Sequence, residues 1–387
     1  MVSNLPKKQH ITKTATLMHK TTPVVELELL DNGITIFSIS KIHDQRHIPI
    51  GIKIRDNIDK KLLQEWLFGR SIPASRANLR DALEKLGKLD TLNATFLIEK
   101  CYALSLSDQY WLKPKDLDLK WEDINFFTNN FTEDVGKLLF GEYTGDYEKI
   151  NLYSPDNTSD GWLPKKWNIS NGECFLIKGG SGVFEQEPFN EVVASLLMKK
   201  LDIDHTPYTL MQENDKFYSS CKNFVTEDTE LIPAWHIKQV LKKYNQENEL
   251  QHFIRCCEEL GIKDTQLDID KMLAVDFIIA NEDRHYGNFG YIRNSITLEW
   301  IGFAPIYDNG TSLWYNTQAI GSKIKSKPFR QDHNEQIKLV SNISWLKQVD
   351  ITNESIKIFS KSNLIDNKRA EKIVEQIQLR LHKLLKN

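Results

Sequence analysis

The sequence contains few cysteines and no long apolar segment, and these absences exclude several classes of protein. Its 387 residues include five cysteines, none of them in a CxxC pair, so neither a disulfide framework nor a cysteine-based zinc site is expected. No apolar run reaches the roughly 20 residues of a membrane span, and the N-terminus lacks the apolar stretch of a signal peptide. The sequence therefore predicts a soluble, cytoplasmic protein with no membrane partner.

A strong excess of charge of either sign is also absent. The formal net charge is −3 and the pI is about 6.4, which gives no basic signature of direct nucleic-acid binding. Arg70, Arg76 and Arg80 form one local basic group. They could contact an acidic partner or RNA, but Asp81 and Glu84 are interspersed with them, so a solvated helix face is the favoured interpretation.

Changes in composition along the chain divide it into four segments. The first is polar. The second alternates like strands around Asp31-Asn32-Gly33, has a third strand-like stretch in RHIPIGIKI (46–54), and then becomes helical. The third is strand-rich with one helix, and the last is mainly helical. The predicted segments are a flexible arm at 1–22, an N-terminal α+β domain of open role at 23–145, a small lobe at 146–226 and a large helical lobe at 227–387.

The order of elements after residue 146 predicts the fold class. ECFLIK (173–178) is typical of a short buried strand and PFNEVVASLLMKKL (188–201) of an amphipathic helix, and two more strands and a run of helices follow. A small strand-rich section before a large helical one is the layout of a two-lobed protein-kinase-like fold. We therefore expect an α+β protein that is kinase-like after residue 146, with a separate α+β domain before it.

A concentration of polar groups, NEDRHYGNFG (281–290), follows the apolar segment KMLAVDFIIA (271–280). Within it Asp283 and Asn288 lie five positions apart, the offset that protein kinases use in their catalytic loop. The spacing favours Asp283 as the base that accepts a hydroxyl proton and Asn288 as a Mg²⁺ ligand. The alternative is a polar turn in which both residues cap the end of a helix.

A second candidate metal ligand, Asp308, follows the strand-like segment LEWIGFAPIY (298–307). An apolar strand running into Asp-x-Gly is how kinases present a metal-binding Asp. The alternative is a type I′ turn, because Asn309-Gly310 is a strong turn signal by itself. Two magnesium-type sites in the expected order are hard to explain as two accidental turns.

A candidate phosphate clamp precedes both ligands. Lys178 ends the predicted strand and Glu191 lies near the start of the following helix, and a strand Lys paired with a helix Glu positions the ATP phosphates in kinases. The alternatives are a surface lysine and a first-turn acid favoured by the helix dipole. Residues 154–165 are the candidate cover over the phosphates, although they contain neither a Walker A sequence nor GxGxxG.

This combination resembles the HipA-like serine/threonine kinases, the toxin kinases of bacterial toxin–antitoxin systems. DRHYGN (283–288) is similar to the family's DRHxxN, and YDNG (307–310) is similar to its metal-binding motif. Gly161 and Lys165 have the Gly-x-x-x-Lys spacing of its phosphate loop. The resemblance covers roughly residues 150–330 and leaves the N-terminal part unmatched.

The resemblance implies a role for each matching position. Asp283 would be the catalytic base, and His285 would brace the loop or touch phosphate, with a structural imidazole as an equal alternative. Asn288 and Asp308 would bind Mg²⁺. The implied ATP-binding residues are Gly161, Lys165, Lys178 and Glu191 at the phosphates, and Asn223, Phe224 and Val225 as the hinge against adenine.

The sequence departs from the family pattern beside the loop glycine. In the family a serine at this place can be autophosphorylated, which silences the kinase. Here Asp160 precedes Gly161, and Thr158 and Ser159 are the nearby hydroxyls. Self-silencing through either hydroxyl is left open.

The leading hypothesis is an ATP- and Mg²⁺-dependent kinase that phosphorylates a Ser or Thr hydroxyl of a protein. The resemblance also implies a small helix-turn-helix antitoxin as a partner. Two alternatives stay open: a kinase of the same fold that acts on a small molecule or lipid, and a non-catalytic interaction protein. The sequence identifies neither the acceptor nor the oligomeric state.

Overall fold

The structure is a computed structural model that describes residues 11–54, 57–76, 78–87 and 95–386. The chain divides into two units. Unit 1 comprises the residues up to Trp162 with two short segments, Glu227–Thr229 and Ser295–Leu298. Unit 2 comprises Leu163–Thr226, Glu230–Asn294 and Glu299–Asn387.

The boundary between the units lies later than the predicted position near residue 145. The hydroxyl of Tyr153 donates to the carbonyl of Ile124, and that of Thr158 donates to the carbonyl of Leu104 at 2.7 Å. These bonds hold the segment before Trp162, with its short 3-10 helix Pro155–Thr158, in unit 1.

Unit 1 combines one sheet with short helices. Its elements in chain order are β1 (Ile11–His19), β2 (Thr22–Leu30), β3 (Ile36–Ile42), β4 (Lys53–Ile54), β5 (Asn57–Ile58), α1 (Lys60–Gly69), α2 (Leu79–Lys85), α3 (Thr95–Lys100), β6 (Tyr110–Pro114), α4 (Trp121–Ile124) and α5 (Asp134–Phe140).

The main sheet of unit 1 has the strand order β3-β2-β1-β6, with antiparallel neighbours. On β2, Val25, Leu27 and Leu29 are buried, and Glu26 and Glu28 between them are half-buried. This is the alternation expected of a sheet with one face on an apolar core.

Two predictions for the start of the chain are wrong. Residues 11–19 of the predicted arm form β1, which pairs with β2 and β6, while residues 1–10 lie outside the described residues. RHIPIGIKI (46–54) contains only the two-residue strand β4, and its other residues form turns. Ile48 and Ile52 are nevertheless buried, so the apolar pattern of this segment reflects packing and not strand pairing.

The arginine group of unit 1 is mostly buried, so the interpretation as a solvated helix face is wrong for two of its three members. Arg70 donates to Asp108 at 2.6 Å and to the carbonyl of Ala103 at 2.8 Å. Arg76 donates to the carbonyl of Ser159 at 2.6 Å. Arg80 alone of the three is exposed. Arg70 and Arg76 therefore act as internal braces.

Unit 2 holds the segments with the predicted kinase motifs. Its elements in chain order are β7 (Lys165–Ser170), β8 (Glu173–Lys178), α6 (Glu187–Leu201), β9 (Tyr208–Glu213), β10 (Lys216–Lys222), β11 (Thr229–Pro233), α7 (Ala234–Ile237), α8 (Glu249–Glu259), α9 (Thr265–Ile278), β12 (Gly290–Asn294), β13 (Trp300–Phe303), α10 (His333–Ile337), α11 (Thr352–Phe359) and α12 (Asn367–Leu385).

The four-stranded sheet of unit 2 has the order β7-β8-β10-β9 and is antiparallel throughout. Helix α6 packs against it, with the rings of Phe189 and Phe217 5.1 Å apart. The register places Lys165 on β7 opposite Lys178 on β8. Directly opposed residues of an antiparallel pair share one face, so both lysines lie on the same side of the sheet.

Helix α9 fixes where the polar loop after it begins. All residues from Met272 to Ile278 are buried, including the one acid among them, Asp276. Two residues beyond the helix, Ala280 has a left-handed φ of 53°, which turns the chain out of the helical path. The loop therefore starts from the end of a helix that is immobilised on most of its sides.

Helix α12 packs through a single stripe of apolar residues. The stripe contains Ile373, Val374, Ile377, Leu381 and Leu384, all buried at helical spacing. Within the described part of the chain, none of the helices has the length and apolar character needed to cross a membrane.

Candidate active site

A buried ion-pair cluster joins three of the predicted residues. Nζ of Lys178, the last residue of β8, donates to Oε1 of Glu191 on α6 and to Oδ1 of Asp308, both at 2.8 Å. It also donates to the hydroxyl of Tyr208 at 3.2 Å. The structure therefore brings together the strand lysine, the helix glutamate and the aspartate of the YDNG motif. Neither surface alternative for Lys178 and Glu191 holds, since both are buried.

The pKa values of Lys178 and Asp308 in this cluster are shifted in opposite directions. Burial works against the charge on Lys178, but Asp308 and Glu191 outweigh it, so the pKa of Lys178 lies well above its ordinary value. Burial likewise works against the charge on Asp308, but Lys178, Lys165 and Arg284 hold the pKa of Asp308 well below its usual range. Burial raises the pKa of Glu191. The cluster thus keeps an ionised aspartate facing two lysines.

Asp308 does not sit in an exposed hairpin turn. Its φ is 58°, in the left-handed region, and the next residue, Asn309, is fully buried and donates its backbone N–H to Oε2 of Glu191 at 2.9 Å. A Cβ on Gly310 would lie 3.2 Å from Cβ of Glu187, so a larger residue would press against helix α6. The Asn-Gly pair therefore serves to pack the loop against α6.

The catalytic-loop candidates also come together. The side-chain Nδ2 of Asn288 donates to the carbonyl of Asp283 at 3.0 Å, and the backbone of His285 donates to the same carbonyl at 2.7 Å. Nδ1 of His285 accepts the N–H of Gly287 at 3.0 Å. His285 thus braces the loop by hydrogen bonds to its backbone, and the Asn288 amide directs its nitrogen inward.

Arg284, which the sequence reasoning did not single out, ties this loop to that of Asp308. It is fully buried and pairs with Asp276 of α9 at 3.0 Å. Its guanidinium also donates to the carbonyl of Asn288 at 2.9 Å, to Oδ1 of Asn309 at 2.6 Å and to the carbonyl of Tyr307. The signal in the sequence was an acid within an apolar helix, which needs a buried cation.

Lys327 is the second residue that was missed. Its Nζ donates to Oδ1 of Asp283 at 2.6 Å. The two residues are 44 positions apart, so no local spacing in the sequence connects them. The pair places a cation directly on the proposed base.

Comparisons with known proteins identify the family of this chain. A sequence model of the HipA-like C-terminal domain matches residues 143–384. The chain belongs to this family. The serine/threonine-protein kinase CtkA of Helicobacter pylori (strain J99) is 24% identical over 214 residues, which cover 48% of this chain and 63% of CtkA. The chain therefore spans less than two thirds of that relative.

The solved structure of a HipA protein shows the fold of this HipA-like chain. The toxin HipA of Shewanella oneidensis MR-1, in a structure with HipB and operator DNA, has a TM-score of 0.55 at 13% identity and covers 96% of this chain and 98% of its own. The crystal structure of H. pylori CtkA has a TM-score of 0.41 at 17% identity, covering 57% of this chain and 95% of its own. The predicted kinase-like fold, preceded by an α+β domain, is confirmed.

The two predicted phosphate-loop residues of the HipA-like chain are assigned to different units. Gly161 belongs to unit 1, where its carbonyl accepts from Nε of Arg76 at 2.5 Å, and Lys165 belongs to unit 2. Burial lowers the pKa of Arg76 to about 10. Thr158 and Ser159 are buried, and the Ser159 hydroxyl donates to the carbonyl of Asp156 at 2.9 Å. Phosphorylation of either hydroxyl would require this segment to leave its position.

The candidate hinge lies next to Tyr307 of the YDNG motif. The N–H of Asn223 donates to the carbonyl of Cys174 at 2.8 Å, and the N–H of Val225 donates to Oδ1 of Asn223 at 3.2 Å. The ring centroids of Phe224 and Tyr307 lie 5.3 Å apart. In this arrangement two of the three backbone N–H groups are engaged within the protein. Adenine recognition through them would require a change of partners.

The residues present fit a magnesium–nucleotide group. The described residues contain no cluster of three or more His, Cys, Asp or Glu side chains able to enclose a metal ion. Mg²⁺ in kinases needs no such cluster, since one or two protein oxygens act with phosphate and water ligands. Asp308 offers an ionised carboxylate and Asn288 a neutral amide oxygen, while Lys165 and Lys178 offer cations for phosphate oxygens.

Proposed function

We propose that this chain is an ATP- and Mg²⁺-dependent kinase that transfers the γ-phosphate to a Ser or Thr hydroxyl of a protein. The observation that carries the proposal is the buried contact of Lys178 with both Glu191 and Asp308. One lysine here holds two carboxylates. When phosphate oxygens take the lysine, Asp308 would be left as an oxygen ligand for a cation.

Each side chain then has a defined part in the reaction. Asp283 accepts the proton of the acceptor hydroxyl while the oxygen of that hydroxyl bonds to the γ-phosphorus. The bond between the γ-phosphorus and the β–γ bridging oxygen breaks, and its electrons leave with ADP. Lys178 and Lys165 would hold phosphate oxygens, and Asn288 and Asp308 would hold the metal. Bound Mg²⁺ supplies neutralisation and orientation of the phosphates. Arg284 fixes the two loops so that these groups act together.

The acceptor and the partner are proposed from the relatives. CtkA is named a serine/threonine-protein kinase, which favours a protein hydroxyl over a lipid or small molecule. HipA of S. oneidensis was solved with HipB and operator DNA, which favours a small helix-turn-helix antitoxin as a partner of this chain. A cytoplasmic location, in which both roles would operate, is proposed with them.

The test compares Asp283→Asn with a matched control, Asp215→Asn. Asp215 is an exposed aspartate in the β9–β10 turn with a left-handed φ of 64°, a conformation that Asn adopts readily. Purified proteins are incubated with Mg²⁺ and radiolabelled ATP, alone and with a cell extract, and labelled phosphopeptides are identified by mass spectrometry. We expect wild type and Asp215→Asn to label Ser or Thr residues, and Asp283→Asn to lose at least 100-fold of that activity, on the order of what one acid–base group supplies.

Two outcomes would reject the proposal. Equal labelling by wild type and Asp283→Asn would show that the signal comes from a contaminant or that another group acts as the base. If MgATP binds without any transfer, the non-catalytic interaction protein becomes the better explanation. Label that appears only in lipid or small-molecule fractions would keep the chemistry and replace the acceptor class.

A further inference from the structure

Lys327 forms an ion pair with Asp283, the proposed catalytic base. We propose, on the basis of the proposed kinase function, that Lys327 is a further catalytic residue whose ammonium group contacts the transferring phosphoryl group. Its Nζ lies 2.6 Å from Oδ1 of Asp283. The acceptor hydroxyl must bind at this carboxylate, so the lysine is within reach of the same reacting atoms.

The backbone around Lys327 is fixed, although its side chain is half-exposed. Nε2 of Gln336 donates to Oγ of Ser326 at 2.7 Å and also to the carbonyl of Lys327. Oε1 of the same Gln336 accepts the N–H groups of Phe329 and Arg330 at 3.1 and 3.0 Å. One buried amide therefore clamps both sides of Lys327, and the side chain projects from an ordered base.

This anchored segment packs on the catalytic loop itself. The ring of Phe329 is buried and lies 5.9 Å from the ring of Tyr286 and 6.4 Å from that of Phe289. Tyr286 is in the catalytic loop and Phe289 directly follows it. The distance between Lys327 and Asp283 is thus set by an aromatic contact, and does not depend on the ion pair alone.

A purely structural role explains the contact less well. The side chain of Lys327 is 50% exposed and that of Asp283 is 24% exposed, and exposed ion pairs contribute little to stability because water screens them. The loop is already held by Arg284 and by Phe329. The ammonium group is therefore free to change its partner without loss of the fold.

The chemistry of the step uses such a cation. Lysine carries three donors on a flexible stem, so Nζ can leave the Asp283 oxygen and donate to a phosphoryl oxygen. When the acceptor hydroxyl takes the carboxylate oxygen, the lysine moves to the phosphoryl group. There it stabilises charge that develops as the bond to ADP breaks. The role is confined to the transition state, which distinguishes it from that of Lys178.

The test measures binding of a transition-state analogue, and therefore needs no known acceptor. Affinities are measured by titration calorimetry for MgADP alone and for MgADP with aluminium fluoride, which takes the place of the phosphoryl group in transfer. The proteins are wild type, Lys327→Met, Lys327→Arg and the control Lys325→Met, which removes the same charge from an exposed lysine two residues away.

We expect all four proteins to bind MgADP alike and wild type to gain affinity with aluminium fluoride. Lys327→Met should lose about 10- to 100-fold of the analogue affinity, the effect of one charge-assisted hydrogen bond, while Lys327→Arg and Lys325→Met keep most of it. An unchanged affinity in Lys327→Met, an equal loss in Lys325→Met, or no gain in wild type despite MgADP binding would overturn the role of Lys327 and leave the kinase proposal standing. Absence of MgADP binding to wild type would overturn both.

Discussion

The guanidinium of Arg284 donates to Oδ1 of Asn309 at 2.6 Å, and this bond joins the loop of Asp283 to the loop of Asp308. Arg284 directly follows the proposed base, and Asn309 directly follows the proposed metal ligand. The same guanidinium is paired with Asp276 inside α9. A single buried side chain thus fixes two functional loops to one helix.

Replacement of Arg284 should therefore lower the stability of the fold. Arg284→Lys keeps the charge but loses the planar set of donors that serves four partners. We expect the free energy of unfolding to fall by about 3 kcal/mol or more, as when a buried charge network is broken. Urea unfolding measures the loss, with Arg330→Lys, the same change at an exposed arginine, as the control. Equal stability of the two variants would show that the fork geometry of Arg284 is dispensable.

A double-mutant cycle on Lys178 and Asp308 tests whether the cluster is coupled. Lys178→Met leaves the buried Glu191 and the partly exposed Asp308 without their cation, and should cost about 2–3 kcal/mol of stability. Asp308→Asn removes one of the two anions and should cost less. The double variant should be more stable than the sum of the two losses predicts, by about 1–2 kcal/mol. The cycle is measured by urea unfolding at pH 7.5 without nucleotide, and strict additivity would contradict the ion-pair cluster.

The site residues proposed from the sequence are those whose signal lies within a short stretch of the chain. Lys178 ends a strand and Asp283 precedes Asn288 by five residues, so strand and loop patterns made them candidates. The kinase-like fold was expected from the order of strands and helices after residue 146. Arg284 was missed because its partners are spread over three segments.

Other residues were misjudged because their surroundings come from distant segments. Lys327 lies 44 positions from its partner. Arg76 was interpreted as solvated because its helix neighbours are polar, yet it is buried against Ser159–Gly161, more than 80 residues along the chain. The prediction of a strand over 46–54 was wrong because an apolar pattern indicates burial and does not indicate pairing with another strand.

Asp268 gives a pH dependence that favours the folded state in acid. It accepts the hydroxyl of Tyr291 at 3.1 Å, and burial raises its pKa to about 6. Because the folded state binds the proton more tightly, protonated Asp268 contributes stability. This contribution is full below about pH 4, the ordinary range of aspartate, and is lost as the pH rises through 6. Asp268→Asn removes the titration. We expect the free energy of unfolding of Asp268→Asn, relative to that of wild type, to rise by about 1–2 kcal/mol between pH 4 and pH 8. This figure is reduced because the carboxyl group is partly exposed.

The measurement for Asp268 is urea unfolding at both pH values. Asp215→Asn serves as the control, since it removes an exposed carboxylate from a turn. A constant difference between wild type and Asp268→Asn across this range would show that the carboxyl group is not held neutral in the fold.

His333 gives the opposite dependence, and its effect reaches the helix that carries the catalytic loop. The ring lies against Phe277 of α9 with centroids 6.4 Å apart, and its Nε2 is buried without a hydrogen-bond partner among the described residues. Burial and the nearby Arg380 lower the pKa of His333 to about 4. The unfolded chain binds a proton near pH 6.5, so the stability due to the neutral ring is full above 6.5 and is lost as the pH falls toward 4.

Lowering the pH from 7.5 to 5 should therefore cost wild type about 2 kcal/mol through this ring. His333→Gln removes the titrating group, so we expect its stability relative to wild type to rise by about that amount over the same interval. His382→Gln, a change at an exposed histidine of α12, should show no such trend. Urea unfolding at the two pH values decides the matter, and parallel curves for wild type and His333→Gln would mean that the ring is hydrated in the folded protein.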